Sequence, residues 1–384
     1  ELLHFIETEA SQPISDKPKG RAGDLYSILR RAFPTVAGAS NPKRIVFLRP
    51  CCIGDVVMAT AALSALREVF PEAHITWAVG PWSARAIKHH PAIDAVLDTG
   101  ADMPLRTPAT FFRFLRRLRA GDYDMAVSLV RSPLMSLALY LAGIPLRAGL
   151  DSGGRGFAYN LRVPIDPAAR EHESEIYLKV VSAIAGRELQ AAANLPVTER
   201  ARAAARARLA AESIGAPFIV AHPGGGANPG AQLASKRYPP ARFAAILNRV
   251  AQDRAADVIL LGGPGDADLA AEVAGHLTVG SSSWVDQLSF EEIGALAADA
   301  LLYIGNDTGL THLAAASGAR AVMLMGPTDP RRYAPYSPDH LALWKPVALS
   351  AGGAANAARG EWDWARDGVS VDEAVERILA FLAR

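Results

Sequence analysis

The sequence predicts an α/β protein built from two doubly wound, Rossmann-like domains in tandem. Three observations carry this. The chain has 384 residues, too many for one ordinary core and about right for two. From Lys43 onward, short β-branched apolar runs alternate with segments whose apolar residues recur at helical spacing. Such alternation builds parallel sheets through right-handed crossovers. The pattern then lapses in an Arg/Ala-rich stretch and restarts. The expected division is an N-terminal extension over 1–42, one domain over 43–195, a second over 196–349, and a C-terminal loop and helix over 350–384 that returns to the first domain.

In order, Asp24–Phe33 (DLYSILRRAF) reads as a short amphipathic helix that packs on the body in preference to a membrane surface, because one helix of that length binds membranes weakly. Arg44–Leu48 (RIVFL) reads as a buried parallel strand, followed by a Gly54 loop and a helix over Val56–Phe70 that stops at Pro71. His74–Val79, Ala95–Leu97 and Asp124–Leu129 are strands; Ala84–His90, Thr110–Ala120 and Leu134–Ala142 are helices. Arg200–Ala211 is composed of good helix formers and reads as a solvated helix. The second series has strands at Pro217–Ala221, Asp257–Leu261, Ala300–Ile304 and Ala321–Met325. Its helices are Pro239–Asp253, Asp268–His276, Phe290–Ala298, Thr311–Ser317 and, last, Val371–Leu382.

Composition excludes several classes. Half the residues are hydrophobic and 21% are charged, the balance of a globular chain. A formal net charge of +1 supplies no field for nucleic acid. No apolar run reaches membrane-spanning length and the first forty residues carry no secretory pattern, so a cytoplasmic protein is expected, with peripheral contact at the inner membrane face left open. The only cysteines, Cys51 and Cys52, are neighbours and cannot make a disulfide framework, which suggests a reducing compartment; without nearby partners they do not read as a metal site. No cofactor or metal is expected.

In open α/β sheets, ligands bind beyond the carboxyl ends of the strands. Four polar loops follow strands here. Pro50-Cys51-Cys52-Ile53-Gly54-Asp55 follows RIVFL and opens a helix, where a carboxylate stays ionised and suits a general base. Spacing is equally compatible with Asp55 as a plain helix cap. His222-Pro223-Gly224-Gly225-Gly226 offers successive backbone N–H groups to a phosphate, and Lys236 adds a cation; a flexible loop with a solvated lysine is the alternative. Gly262-Gly263-Pro264-Gly265-Asp266 places Asp266 either as a ribose ligand or as an N-cap. Gly305-Asn306-Asp307-Thr308-Gly309-Leu310-Thr311-His312 gathers donors, a hydroxyl and a carboxylate at a helix start, which suits an anion, with Asp307 bonded to sugar hydroxyls or to backbone amides and His312 alternatively a buried, hydrogen-bonded histidine.

Taken with HESEIYLKVV, SKRYPPARFAAIL and NDTGLTHLAAASGARAVMLMGPTDP, these motifs resemble glycosyltransferase family 9, whose best known members are ADP-heptose:lipopolysaccharide heptosyltransferases. The resemblance spans about residues 43–340. It implies a GT-B fold of two facing domains, acceptor-binding first and donor-binding second, and an inverting, metal-independent transfer. Asp55 would be the base and Lys236 would neutralise the donor diphosphate. Asp266 would bind ribose and Asp307 the donor sugar, with Gly224, Gly225, Thr308, Gly309 and His312 around the phosphates. The donor would be a nucleotide sugar, ADP-linked by resemblance, and the acceptor a hydroxyl of a glycan or lipid-linked glycan. Arg113, Arg116 and Arg117 are candidate contacts for an anionic acceptor, although a solvated basic face is an equally good account. The extension, a long His222–Lys236 loop and Pro50-Cys51-Cys52 depart from the family pattern. A nucleotide-sugar epimerase and a non-catalytic nucleotide-sugar binder are the competing readings.

Overall fold

The computed structural model describes residues 21–35, 41–101, 105–166, 169–228, 231–347 and 362–384. It forms two compact units, Glu1–Ala193 and Asn194–Arg384. The first contains α1 (Arg21–Ala32), β1 (Arg44–Leu48), α2 (Ile53–Val69), β2 (His74–Val79), α3 (Pro81–Ile87), β3 (Ala95–Asp98), α4 (Pro108–Ala120), β4 (Met125–Ser128), α5 (Pro133–Leu141), β5 (Leu146–Ser152), β6 (Leu161–Ile165) and α6 (Glu173–Ala185). The second contains α7 (Glu199–Ala211), β7 (Phe218–His222), a small hairpin of β8 (Ala227–Asn228) and β9 (Ala231–Gln232), α8 (Pro240–Arg254), β10 (Asp257–Leu260), α9 (Ala267–Gly275), β11 (Ser281–Ser283), α10 (Phe290–Asp299), β12 (Leu302–Asn306), α11 (Gly309–Ala316), β13 (Ala321–Leu324), α12 (Pro330–Tyr333), β14 (His340–Leu343), α13 (Trp364–Asp367) and α14 (Val371–Leu382).

Each unit has one parallel sheet. The strand orders, β3-β2-β1-β4-β5-β6 and β11-β10-β7-β12-β13-β14, are the same doubly wound plan. In both, the order reverses beside the central strand, between β1 and β4 and between β7 and β12. Register fixes the crevices: Leu48 lies beside Ser128, and Gly305 beside His222. Ligands of such sheets sit at these switch points. The predicted Asp55 loop leaves one of them; the predicted glycine and Asp307 loops leave the two strands of the other.

Burial explains the central elements. β1 and β7 are covered on both faces, so RIVFL and FIVAH are continuous apolar runs instead of alternating ones. Helix α2 is buried from Val56 to Leu63, which its nearly all-round apolar sequence requires. It lies against α6, where Ser174 Oγ donates to Met58 O at 3.1 Å.

Besides the small β8–β9 hairpin, four strands of the two parallel sheets are absent from the sequence reading: β5, β6, β11 and β14. Three of the four are sheet edges. An edge strand needs less apolar side chain and tolerates proline: β6 carries Pro164 and β11 is Ser281-Ser282-Ser283. Helix α1 docks by its apolar face, with Tyr26 buried and stacked on Phe157 (6.1 Å), Phe33 edge-on to Tyr140 (4.7 Å), and Arg30 paired with Asp151 at 2.8 Å. Helix α7, read as solvated, buries Ala201, Ala205 and Leu209 and packs on α10, with Arg202 and Arg206 bridged to Asp299.

The C-terminal helix belongs to the second unit. α14 packs on α8 and β14 of the second unit, placing Val375, Ile378 and Phe381 in that core. Tyr238 Oη donates to Val369 O (2.9 Å), and Arg242 donates to the carbonyls of Trp364 and Val369. Its apolar stripe therefore covers its own unit's sheet. Residues 1–20 and 36–40 of the extension and the whole Gly/Ala loop at 350–360 lie outside the described residues.

Candidate active site

In the first unit, Asp55 stands on the first turn of α2, three residues past its N-cap Cys52. The cap residue is therefore Cys52 and not Asp55, whose carboxylate lies one turn in, near the Cys52 backbone N–H. Arg49, just past β1, meets Asp55 Oδ1 at 2.7 Å, and Tyr177 Oη, from α6, donates to the same oxygen at 3.2 Å. The Arg49 guanidinium lies over the Tyr177 ring at 5.4 Å and donates to Leu129 O at 3.3 Å. Tyr177 is fully buried, whereas the Asp55 side chain keeps 27% of its exposure. Burial pushes the Asp55 carboxyl up, but Arg49, the Cys52 N–H and Tyr177 outweigh it and hold the group below its ordinary value. Asp55 is therefore ionised and reachable. Behind it, Arg131 and Glu173 form a buried pair at 2.6 Å, with 9% and 1% of their side chains exposed. Cys51 and Cys52 are bonded to each other as a vicinal disulfide, a pairing that the sequence reading did not anticipate and that ties no distant segments together.

In the second unit the three predicted loops converge. Lys236 Nζ meets Asp307 Oδ2 at 2.7 Å, with both side chains largely buried. Burial raises the Asp307 carboxyl, and Lys236, then His312, pull it below the ordinary value. Thr308 is the N-cap of α11, its Oγ1 accepting the Thr311 N–H at 3.4 Å. Gly309 is the first residue of that helix, and His312 is buried on its first turn. The helix start thus presents its N–H ends beside the Lys236–Asp307 pair.

The glycine loop lies against this helix start. Gly225 has φ +116°, and a Cβ there would overlap the Thr308 methyl. A Cβ on Gly224 would overlap the Asp266 carboxylate. Asn306 fastens the loop, donating to Pro223 O (2.7 Å) and Gly224 O (3.1 Å) and accepting the Tyr238 N–H (3.0 Å). Arg237 donates to Gly225 O at 2.7 Å. Asp266 accepts the Gly263 N–H at 2.9 Å and lies 3.3 Å from His222 Nε2, while His222 Nδ1 lies 3.3 Å from Thr308 Oγ1. Burial raises the Asp266 carboxyl; His222 and the Gly263 N–H bring it below the ordinary value. Asp266 thus caps its own loop and is linked through His222 to the Thr308 side. Replacing Gly225 by Ala is expected to lower stability by about 1–3 kcal/mol through strain and overpacking. Urea unfolding reads this, and an unchanged midpoint would mean that the loop yields freely.

The structure therefore gathers Gly224, Gly225, Lys236, Asp266, Asp307, Thr308, Gly309 and His312 in one cluster. Arg113, Arg116 and Arg117 lie on α4 of the first unit. Arg113 and Arg116 point outward beside exposed Phe112, and Arg117 bridges to Asp98 at 3.3 Å. Sequence reasoning missed Arg49, Tyr177, Asn306, His222 and Arg237. Position could have found two of them: Arg49 is the first polar residue after a central strand, and Asn306 is the last residue of another.

Residues 111–351 match glycosyltransferase family 9 (heptosyltransferase). The chain belongs to this family. It is a glycosyltransferase. The matched segment holds the whole second-unit cluster, whereas Asp55 precedes it. Over 298 residues the enzyme is 24% identical to lipopolysaccharide heptosyltransferase 3 of Escherichia coli, covering 76% of this chain and 86% of that one. A family 9 glycosyltransferase structure from Veillonella parvula superposes with a TM-score of 0.76 at 19% identity, over 90% of this chain and 99% of the other. The Escherichia coli ADP-heptose lps heptosyltransferase II structure gives 0.68 at 20%, over 88% and 98%. These likenesses establish the fold, two Rossmann-like domains of the kind that make up GT-B enzymes.

Proposed function

We propose that this enzyme transfers a heptose from ADP-heptose to a hydroxyl of a lipopolysaccharide-like glycan, with inversion and without a metal. The observation that carries this is the Lys236–Asp307 pair at the N-terminus of α11, inside the family's matched segment. In one in-line displacement the acceptor oxygen bonds to the anomeric carbon as the carbon–oxygen bond to the diphosphate breaks. The proton passes to Asp55, and the electron pair leaves on the diphosphate, which Lys236 and the α11 N–H groups stabilise. Asp307 meets sugar hydroxyls and the Gly224–Gly225 loop approaches the phosphates. ADP as donor nucleotide and lipopolysaccharide as acceptor are taken from the relatives' names.

A thermal-shift screen with ADP, UDP and GDP tests the donor, since a ligand of the native state raises the melting temperature. ADP is expected to stabilise the chain; stabilisation by UDP or GDP alone would overturn the donor assignment. Lys236→Ala removes a charged hydrogen-bond partner, about 1.5–3 kcal/mol, so the Kd for ADP is expected to rise roughly 10- to 100-fold by calorimetry. An unchanged Kd would take Lys236 out of the diphosphate site.

A further inference from the structure

We propose that Arg49 and Tyr177 are positioning residues that grip Asp55 by its Oδ1 oxygen and so aim the carboxylate at the acceptor hydroxyl. The inference rests on the reading of Asp55 as the base. An aspartate on a first helical turn with 27% of its side chain exposed has rotamers to choose from. Two donors remove that choice. Arg49 Nη2 at 2.7 Å and Tyr177 Oη at 3.2 Å converge on Oδ1, from two elements that do not carry Asp55. The grip is itself held. Leu129 O takes one nitrogen of Arg49, and the Tyr177 ring lies under the guanidinium. Tyr177 has no exposure, so its hydroxyl reaches the carboxylate from inside the fold.

The groups that act on this carboxylate are Arg49 beyond β1 and Tyr177 on α6, both on Oδ1, and the backbone N–H of Cys52. Glu173, one turn earlier on α6, and Arg131 beyond β4 act on Arg49 and Tyr177 and pair with each other at 2.6 Å. A purely structural account, in which Arg49 only neutralises a half-buried charge, makes no demand on Tyr177 or on catalysis.

The discriminating experiment measures kcat/KM against pH and the Kd for ADP in the full chain. The substrates are ADP-heptose and lipopolysaccharide truncated before its heptoses. Tyr177→Phe is expected to lower kcat about tenfold, in line with losing a hydrogen bond to a charged group, with the ADP Kd within about twofold. Arg49→Gln removes the neighbouring positive charge, so the Asp55 carboxyl protonates at higher pH. Its acid limb is expected to move up by about one pH unit or more. Arg49→Lys keeps the charge and restores the limb. Wild-type kcat and an unmoved limb in folded Tyr177→Phe and Arg49→Gln would overturn the proposal. Should Arg49→Gln fail to fold, wild-type kcat in Tyr177→Phe alone overturns it. Transfer retained by Asp55→Asn would instead sink the base assignment; transfer lost in Asp55→Asn but wild-type in the other two sinks only the grip.

Discussion

Asp55→Asn is expected to lower transfer about 10²- to 10⁴-fold, the usual contribution of a general base, while ADP still binds within about twofold. Asparagine matches aspartate in shape and keeps an oxygen for Arg49 and Tyr177, but it cannot accept the acceptor's proton. Asp55 belongs to the first unit and the donor cluster to the second, so the two readouts separate. The pH dependence follows from the same contacts. The Asp55 carboxyl is held below its ordinary value, where Arg49, the Cys52 N–H and Tyr177 outweigh burial. A base acts in its ionised form, so transfer stays flat through neutral pH and falls only as acid protonates Asp55 below the normal carboxylate range. The sign for stability is the same: this group stabilises the fold above its unfolded pKa, and the contribution is lost as pH falls through the depressed folded value. An acid limb near neutrality would contradict the contacts described.

Glu173→Ala is expected to cost about 3–5 kcal/mol, because it strands Arg131 as a buried charge. The two side chains are 2.6 Å apart, with 9% and 1% exposure. Their attraction need not stabilise the fold relative to apolar residues, since desolvating both ions offsets it. Removing only one partner leaves that penalty without its compensation. Urea unfolding, followed by a probe in the first unit, reads the loss. The double change Glu173→Leu with Arg131→Met should recover most of it. A midpoint unmoved by Glu173→Ala would show that Arg131 gains water or another partner.

Much of the fold was legible because burial writes itself into sequence. The central strands RIVFL, FIVAH and LYIGN are covered on both faces and carry continuous apolar runs. The edge strands carry little such pattern: β11 is three serines, and β6 is interrupted by Pro164. The last helix was legible as a helix, but its partner was not, since an apolar stripe does not say which surface it covers. The donor cluster was legible because it is built from loops that directly follow strands. Its fastening was not. Asn306 meets Pro223 and Gly224 across more than eighty residues, and nothing local announces such bonds. Arg49 and Tyr177 were hidden for the same reason: Tyr177 meets Asp55 over a separation of 122 residues. Spacing left Asp55 divided between cap and base. The structure gives the cap position to Cys52 and leaves Asp55 a carboxylate held below its ordinary value by Arg49; catalysis by it is the proposal.

The most direct measurement of the central claim is the anomeric configuration of the transferred sugar. ADP-heptose and truncated lipopolysaccharide are incubated with the enzyme, and the new linkage is read by NMR. A single displacement with Asp55 as base predicts a product whose configuration is opposite to that of the donor. A product that keeps the donor's configuration would require a second displacement or a front-side route, and would contradict the mechanism.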